Sequence, residues 1–192
     1  MKRILFLVVI PIILSCHAEA RIRFGAEVGG TISNVRFPPS SMKVGFYVAG
    51  CVQLKINDLF CINTALQFSQ KGYNDRMKGL DELGISDNQY SVTSSYVELP
   101  VAVTIYPIKN AGLNVFAGPQ IGCLVHRCFS PTAVSQFYNP DNIFDCGINF
   151  GFGYELGHFS ISCKYYLGLA NTYRHTKSST NRSFLFGVGY NF

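Results

Sequence analysis

The feature that most constrains this chain is strict alternation of apolar and polar residues, repeated in eight separate segments. In the first, Ile22, Phe24, Ala26, Val28, Gly30 and Ile32 share one face, while Arg23, Gly25, Glu27, Gly29 and Thr31 share the other. A period of two puts successive side chains on opposite faces of a β-strand. Val44, Phe46, Val48, Val52 and Leu54 alternate in the same way with Gly45, Tyr47, Ala49, Cys51 and Gln53. Further runs set Phe60, Ile62, Leu66 and Phe68 against Cys61, Asn63, Ala65 and Gln67, and Val97 to Ile105 against Tyr96 to Thr104. The fifth segment covers Leu113 to Cys123, the sixth Asp145 to Glu155, the seventh His158 to Leu169 and the eighth Ser183 to Phe192. Connections alternate between long and short. Ser33–Met42, Gly72–Thr93, His126–Ile143 and Ala170–Asn181 read as long loops; Asn57-Asp58, Pro107–Gly112 and Leu156-Gly157 read as tight turns.

The first twenty residues stand apart. Met1-Lys2-Arg3 is a positive start, Ile4 to Leu14 is apolar, and Ala18-Glu19-Ala20 is a small-x-small cleavage site. This reads as a secretory signal peptide over 1–20, cut after Ala20. A competing cut at Ile13-Leu14-Ser15-Cys16 resembles a lipoprotein signal and would acylate Cys16. Residues 21–192 then form the single domain. They hold 14 Lys and Arg against 10 Asp and Glu, a net of +4 spread along the chain, which argues against a nucleic-acid partner. Only 14% of the whole chain is charged and 48% is hydrophobic, which excludes disorder.

Alternation alone does not say which face is wet. A soluble barrel turns its apolar face inward, and an outer-membrane barrel turns it to lipid. Several features favour lipid. The segments match the roughly 9 to 11 tilted residues that cross a bilayer. Short turns at one end and long loops at the other are the outer-membrane arrangement. The polar face is rich in Gly, Ser and Asn with a few separate charges, which suits a crowded lumen. The chain ends in Tyr190-Asn191-Phe192, and Tyr190 and Phe192 form the terminal aromatic signal that such barrels present to the insertion machinery. In lipid every backbone donor and acceptor must be paired, and a closed barrel does this without leaving an edge. The expectation is an eight-stranded antiparallel up-and-down transmembrane β-barrel in the bacterial outer membrane. At eight strands the interior fills with side chains, so a general porin is disfavoured.

The chain resembles the PorT-like outer-membrane β-barrel domain family of Bacteroidetes-type bacteria, whose architecture is that of OmpA and OmpX. The resemblance rests on Phe24-Gly25-Ala26-Glu27-Val28-Gly29-Gly30, Gln67-Phe68-Ser69-Gln70-Lys71-Gly72, Tyr96-Val97-Glu98-Leu99-Pro100 and Phe116-Ala117-Gly118-Pro119-Gln120-Ile121-Gly122. It continues in Gly151-Phe152-Gly153-Tyr154-Glu155, Tyr165-Tyr166-Leu167-Gly168-Leu169 and the closing Gly187-Val188-Gly189-Tyr190-Asn191-Phe192. It implies an integral barrel, and through PorT itself a link to protein secretion.

Candidate chemistry concentrates on the polar face. Arg23, Glu27, Glu98, Asp145, Glu155 and Lys164 all fall there and are expected to pair as a lumen charge network, since unpaired burial is costly. The plain structural reading is a plug; the functional one is an ion path or a set of catalytic carboxylates. Glu27 and Lys164 are expected at similar depth and within reach of each other. Pro100 predicts a bulge or a missing ladder bond. Cys123, His126 and Cys128 form a Cys-x-x-His-x-Cys cluster of soft ligand types, with zinc or copper binding, a disulfide, or no special role as the readings. Cys51, Cys61, Cys146 and Cys163 read as small strand residues. No nucleophile elbow, His-Glu-x-x-His or phosphate-binding glycine loop is present. The expectation is a non-enzymatic surface barrel without a cofactor, its partners being outer-membrane lipid, the insertion machinery and an extracellular or periplasmic protein. An accessory role in secretion or assembly is the alternative, and a small-barrel enzyme acting on lipid or peptide is the third class.

Overall fold

A computed structural model of the chain describes residues 21–35, 41–76, 89–108, 111–130, 143–171 and 180–192. The leader segment, Cys16 and the centres of the four long connections lie outside the described residues. Eight strands are present: β1 Arg21–Val35, β2 Ser41–Lys55, β3 Phe60–Arg76, β4 Gln89–Ile105, β5 Leu113–Ser130, β6 Phe144–Leu156, β7 Phe159–Asn171 and β8 Thr180–Asn191. Each pairs antiparallel with its sequence neighbour, and β1 closes on β8 from Gly25↔Asn191 to Val35↔Asn181. The fold is a closed eight-stranded up-and-down barrel.

The two faces divide as the alternation requires. Phe152 is 58% exposed on the outer wall and Phe186 51%, while Gln67, Glu98 and Lys71 inside are 1%, 1% and 3% exposed. A wall of exposed Phe, Val, Ile and Leu around a polar interior is the reverse of a water-soluble core, and it is stable only with hydrocarbon outside. Aromatic rings cluster at the end that carries the short turns. There Tyr190 packs against His158, Phe159 and Phe192 at centroid distances of 5.7, 5.3 and 5.4 Å.

The turns follow from local chemistry. Asn57 Oδ1 accepts hydrogen bonds from the N–H groups of Leu59 and Phe60 at 2.9 and 2.6 Å, closing the β2–β3 turn. Gly157, with φ of 63°, turns β6 into β7.

All four long loops expected from the sequence are shorter than the alternation suggested, Ser33–Met42 and Ala170–Asn181 by a few residues and the other two by more. Gly72–Thr93 is not loop at its ends: β3 runs to Arg76 and β4 starts at Gln89, paired as Arg76↔Gln89. His126 and Cys128 lie within β5, which continues to Ser130. The reason is visible at the register shift between Ser95 and Tyr96, where Tyr96 faces Leu124, Ser95 faces His126 and Val125 is the extra residue. The bulge breaks the period of two, and beyond it the strands no longer carry an apolar outer face. Ladder pairing persists where the hydrophobic signal ends. Pro100 interrupts the β3–β4 ladder between Thr64↔Val101 and Gln67↔Glu98, and the Thr64 hydroxyl donates to its carbonyl at 3.1 Å. The missing ladder pairing falls at Pro100, whereas the bulge is Val125 on β5, opposite Ser95 and Tyr96.

Candidate functional site

Polar and charged side chains cross the lumen in three tiers. The tier nearest the long loops centres on Lys71, which Gln67, Ser69 and the period of two place inward on β3. Its ammonium contacts the Glu98 carboxylate at 2.5 Å and lies 3.7 Å from Asp145. Glu98 also accepts from Gln67 Nε2 at 2.8 Å and Ser69 Oγ at 2.7 Å. Asp145 accepts from Asn181 Nδ2 at 3.0 Å and from the Tyr166 hydroxyl. The Tyr166 ring covers the Lys71 ammonium at 3.7 Å from its centroid, with Tyr96 on another side at 5.3 Å. Glu98, Gln67, Ser69, Tyr96, Tyr166 and Asp145 are all at most 4% exposed. A buried lysine between two carboxylates and two rings is a plug with almost every polar group served.

The middle tier is the Glu27–Lys164 pair, at 2.7 Å and with 12% side-chain exposure on each partner. The Tyr47 and Ser162 hydroxyls both donate to Glu27 Oε1 at 2.5 Å. One strand, β8, separates the two partners around the wall, and Gly187 on that strand leaves the gap they meet across. A Cβ at Gly187 would collide with the Tyr47 hydroxyl and the Glu27 carboxylate.

The third tier lies at the short-turn mouth. Tyr106 donates to Glu155 Oε1 at 2.6 Å, and Gln53 Nε2 donates to both the Tyr106 hydroxyl and Glu155, at 2.8 and 3.3 Å. Burial, then the hydrogen bond and negative charge of Glu155, push the Tyr106 phenol above its ordinary range.

The six charges expected as one network are therefore distributed over separate tiers. Glu98 and Asp145 meet through Lys71, and Glu27 meets Lys164. Glu155 has no ion-pair partner within 4 Å among the described residues. Arg23 is exposed at the mouth, beside a cleft shared with Lys55, Asp58 and Glu155, and makes no ion pair among the described residues. Lys71 was absent from the sequence-derived set, because the polar run that follows it reads as loop and ends the strand too early. Continuing Cys61, Asn63, Ala65 and Gln67 by two more steps of two, through Ser69, would have found it.

His126 Nε2 lies 2.8 Å from Cys128 Sγ on the exposed end of β5, and Cys123 does not join them. Among the described residues no group of three or more His, Cys, Asp or Glu is placed to hold a metal. Cys51, Cys61, Cys123, Cys128, Cys146 and Cys163 are free thiols.

The comparisons with known proteins agree with this architecture. No curated protein sequence matches the chain. Among solved structures, the attachment invasion locus protein Ail of Yersinia pestis, in complex with the heparin analogue sucrose octasulfate, superposes with a TM-score of 0.51 at 13% identity. That match covers 90% of this chain and 99% of Ail. Neisserial surface protein A gives a TM-score of 0.50 at 11% identity, covering 89% of this chain and 97% of the other. At such identities the likeness concerns the fold. Residues 15–174 match the family described as outer membrane protein beta-barrel domain. With a closed barrel, an apolar outer wall and a match over most of its length, the chain belongs to the outer membrane protein beta-barrel domain family and is an integral protein of the bacterial outer membrane.

Proposed function

We propose that this barrel is a non-conducting, non-enzymatic scaffold that presents its loop-side strand extensions and surface loops to a macromolecular partner outside the cell. The Lys71 tier carries the reading. A fully buried ammonium, held by two carboxylates and roofed by Tyr166 and Tyr96, leaves no aqueous path toward the loops. What the barrel can offer the exterior is then its rim. β3, β4 and β5 run for 17, 17 and 18 residues, whereas β6, β7 and β8 run for 13, 13 and 12. The surplus of about five residues, at roughly 3.3 Å each, raises one side of the wall by on the order of 15 Å. Function commonly lives on such rims, held by a rigid scaffold.

The charged tiers serve as internal ties, and Tyr190 with Phe192 as the signal read by the insertion machinery after a leader is removed at Ala20. Planar-bilayer recording tests the plug: the scaffold reading expects no unitary conductance, and stable ohmic steps would refute it. Replacing residues 77–88 by a short turn should abolish binding to the partner while the barrel still inserts.

The PorT resemblance supports a second reading, an accessory of outer-membrane secretion or assembly. Deleting the gene and scoring secreted proteins separates the two: a secretion defect favours the accessory role, and loss of surface attachment alone favours the scaffold.

A further inference from the structure

One cation on the outer wall has no partner in the protein. Arg182 heads the outward row of β8, in which Phe184, Phe186, Val188 and Tyr190 follow at steps of two as exposed side chains. Its ladder partner on β1 is Asn34, which heads the matching row of Ile32, Gly30 and Val28. Residues directly opposite in a ladder share a face, with Cβ atoms roughly 5 Å apart. The guanidinium and the carboxamide therefore stand side by side where the apolar belt ends.

Their height is that of the lipid headgroups. Phe192 marks the short-turn boundary, ten residues beyond Arg182. At roughly 3.3 Å per residue and a tilt of about 40°, ten residues span about 25 Å of height, which is that of a lipid-facing band. One step below Arg182, the Phe184 ring packs on Tyr165 at 4.6 Å, and Tyr165 packs on Phe150 at 5.4 Å. A row of rings at this level marks a membrane interface.

Neither polar side chain is spent on the protein. Among the described residues Arg182 makes no hydrogen bond and no ion pair, and Nε is the only one of its guanidinium nitrogens sealed from solvent. The Asn34 amide likewise makes no hydrogen bond among the described residues, and neither of its polar atoms is sealed. β1, β7 and β8 hold one acidic residue, Glu27, and it points into the lumen at Lys164. A cation at the edge of hydrocarbon is costly without a counter-charge. At this depth the membrane supplies phosphates, whose oxygens match the guanidinium fork. About 13 Å below Asn34 on the same row, Gly30 leaves a slot between Phe46 and Phe186, and a Cβ there would meet nothing closer than 3.9 Å.

We propose that Arg182 and Asn34 seat the phosphate of an outer-leaflet glycolipid. The guanidinium takes two phosphate oxygens, the Asn34 amide donates to the same group, and an acyl chain descends the wall through the slot at Gly30.

The experiment uses the refolded barrel in detergent micelles doped with diphosphoryl lipid A, with the lipid-bound fraction read by native mass spectrometry. The wild type should retain this lipid, and should retain the same glycolipid stripped of its phosphates about tenfold less. Arg182→Met should lower retention of the phosphorylated lipid about tenfold, the loss of one charge-assisted contact. Arg182→Lys keeps the charge without the fork and should fall between. Asn34→Ala should weaken retention several-fold, and Lys55→Met at the short-turn mouth should leave it unchanged. The heat-modifiable gel band verifies each barrel, and if Arg182→Met folds poorly the Arg182→Lys and Asn34→Ala variants decide. Equal retention of the two lipids, variants at 182 and 34 within twofold of the wild type, an equal loss in Lys55→Met, or displacement by millimolar inorganic phosphate would overturn the proposal.

Discussion

Removing the Lys71 ammonium should be the most damaging single change to the lumen. Lys71→Met keeps much of the aliphatic stem but leaves Glu98 and Asp145 facing the same space without a cation. Glu98 would retain Gln67 and Ser69 as neutral donors, and Asp145 would retain Asn181 and Tyr166. With Lys71 3% exposed, water cannot replace it cheaply. Breaking one side of such a buried pair costs about 3–5 kcal/mol. The reciprocal change is milder. In Glu98→Gln the ammonium keeps Asp145 at 3.7 Å and the Tyr166 face, and the new amide oxygen still accepts from Gln67 and Ser69, so a loss of about 1–3 kcal/mol is expected. The double variant removes the orphaned charge along with its partner and should recover at least about 1 kcal/mol of the summed loss. Urea titration in lipid vesicles, with folded fraction read from the heat-modifiable band, measures all three. Stability of this kind is of order 5–15 kcal/mol, so each step is resolvable. A Lys71→Met cost below about 1 kcal/mol, or a cycle that is additive within about 0.5 kcal/mol, would refute the account of the plug.

The Glu27–Lys164 pair should show the same coupling on a smaller scale, since each side chain is 12% exposed: Glu27→Ala destabilises, and Lys164→Met added to it restores part of the loss in the same titration. Membrane-impermeant maleimide on intact cells should label the wild type chiefly at Cys128, so that Cys128→Ser removes most of the label, while buried Cys61 stays unreactive until the barrel is unfolded. The Tyr106 phenol should stay protonated in the folded barrel at a pH where free tyrosine ionises. Its folded pKa is raised, so its contribution is full below the ordinary tyrosine range and is lost as pH climbs through the folded value; a Tyr106→Phe difference spectrum showing normal ionisation would contradict this.

The barrel was legible because each lipid-crossing strand follows one rule, apolar out and mainly small or polar in, with few exceptions such as Phe116 and Leu185. Phe152 and Gly153, or Phe186 and Gly187, announce their faces without any partner being known. Pairing of Glu27 with Lys164 could be anticipated from strand phase and depth, since both lie mid-strand with only β8 between them. The Lys71 tier was less legible. Its lysine sits where apolar alternation fades into polar rim, and a strand whose outer face meets water carries no hydrophobic period. The β5 bulge at Val125 then displaced His126 and Cys128 from the phase that would have marked them as strand.

The most direct test of the central claim uses the absence of tryptophan from the chain. Single variants Phe150→Trp, on the outer wall and 43% exposed, and Phe116→Trp, on the lumen side of β5, each carry one fluorophore. Reconstituted in vesicles whose acyl chains are brominated at mid-depth, Phe150→Trp should be strongly quenched and Phe116→Trp nearly unaffected. Equal quenching at both sites, or stronger quenching at position 116, would contradict a barrel that turns this apolar face to lipid.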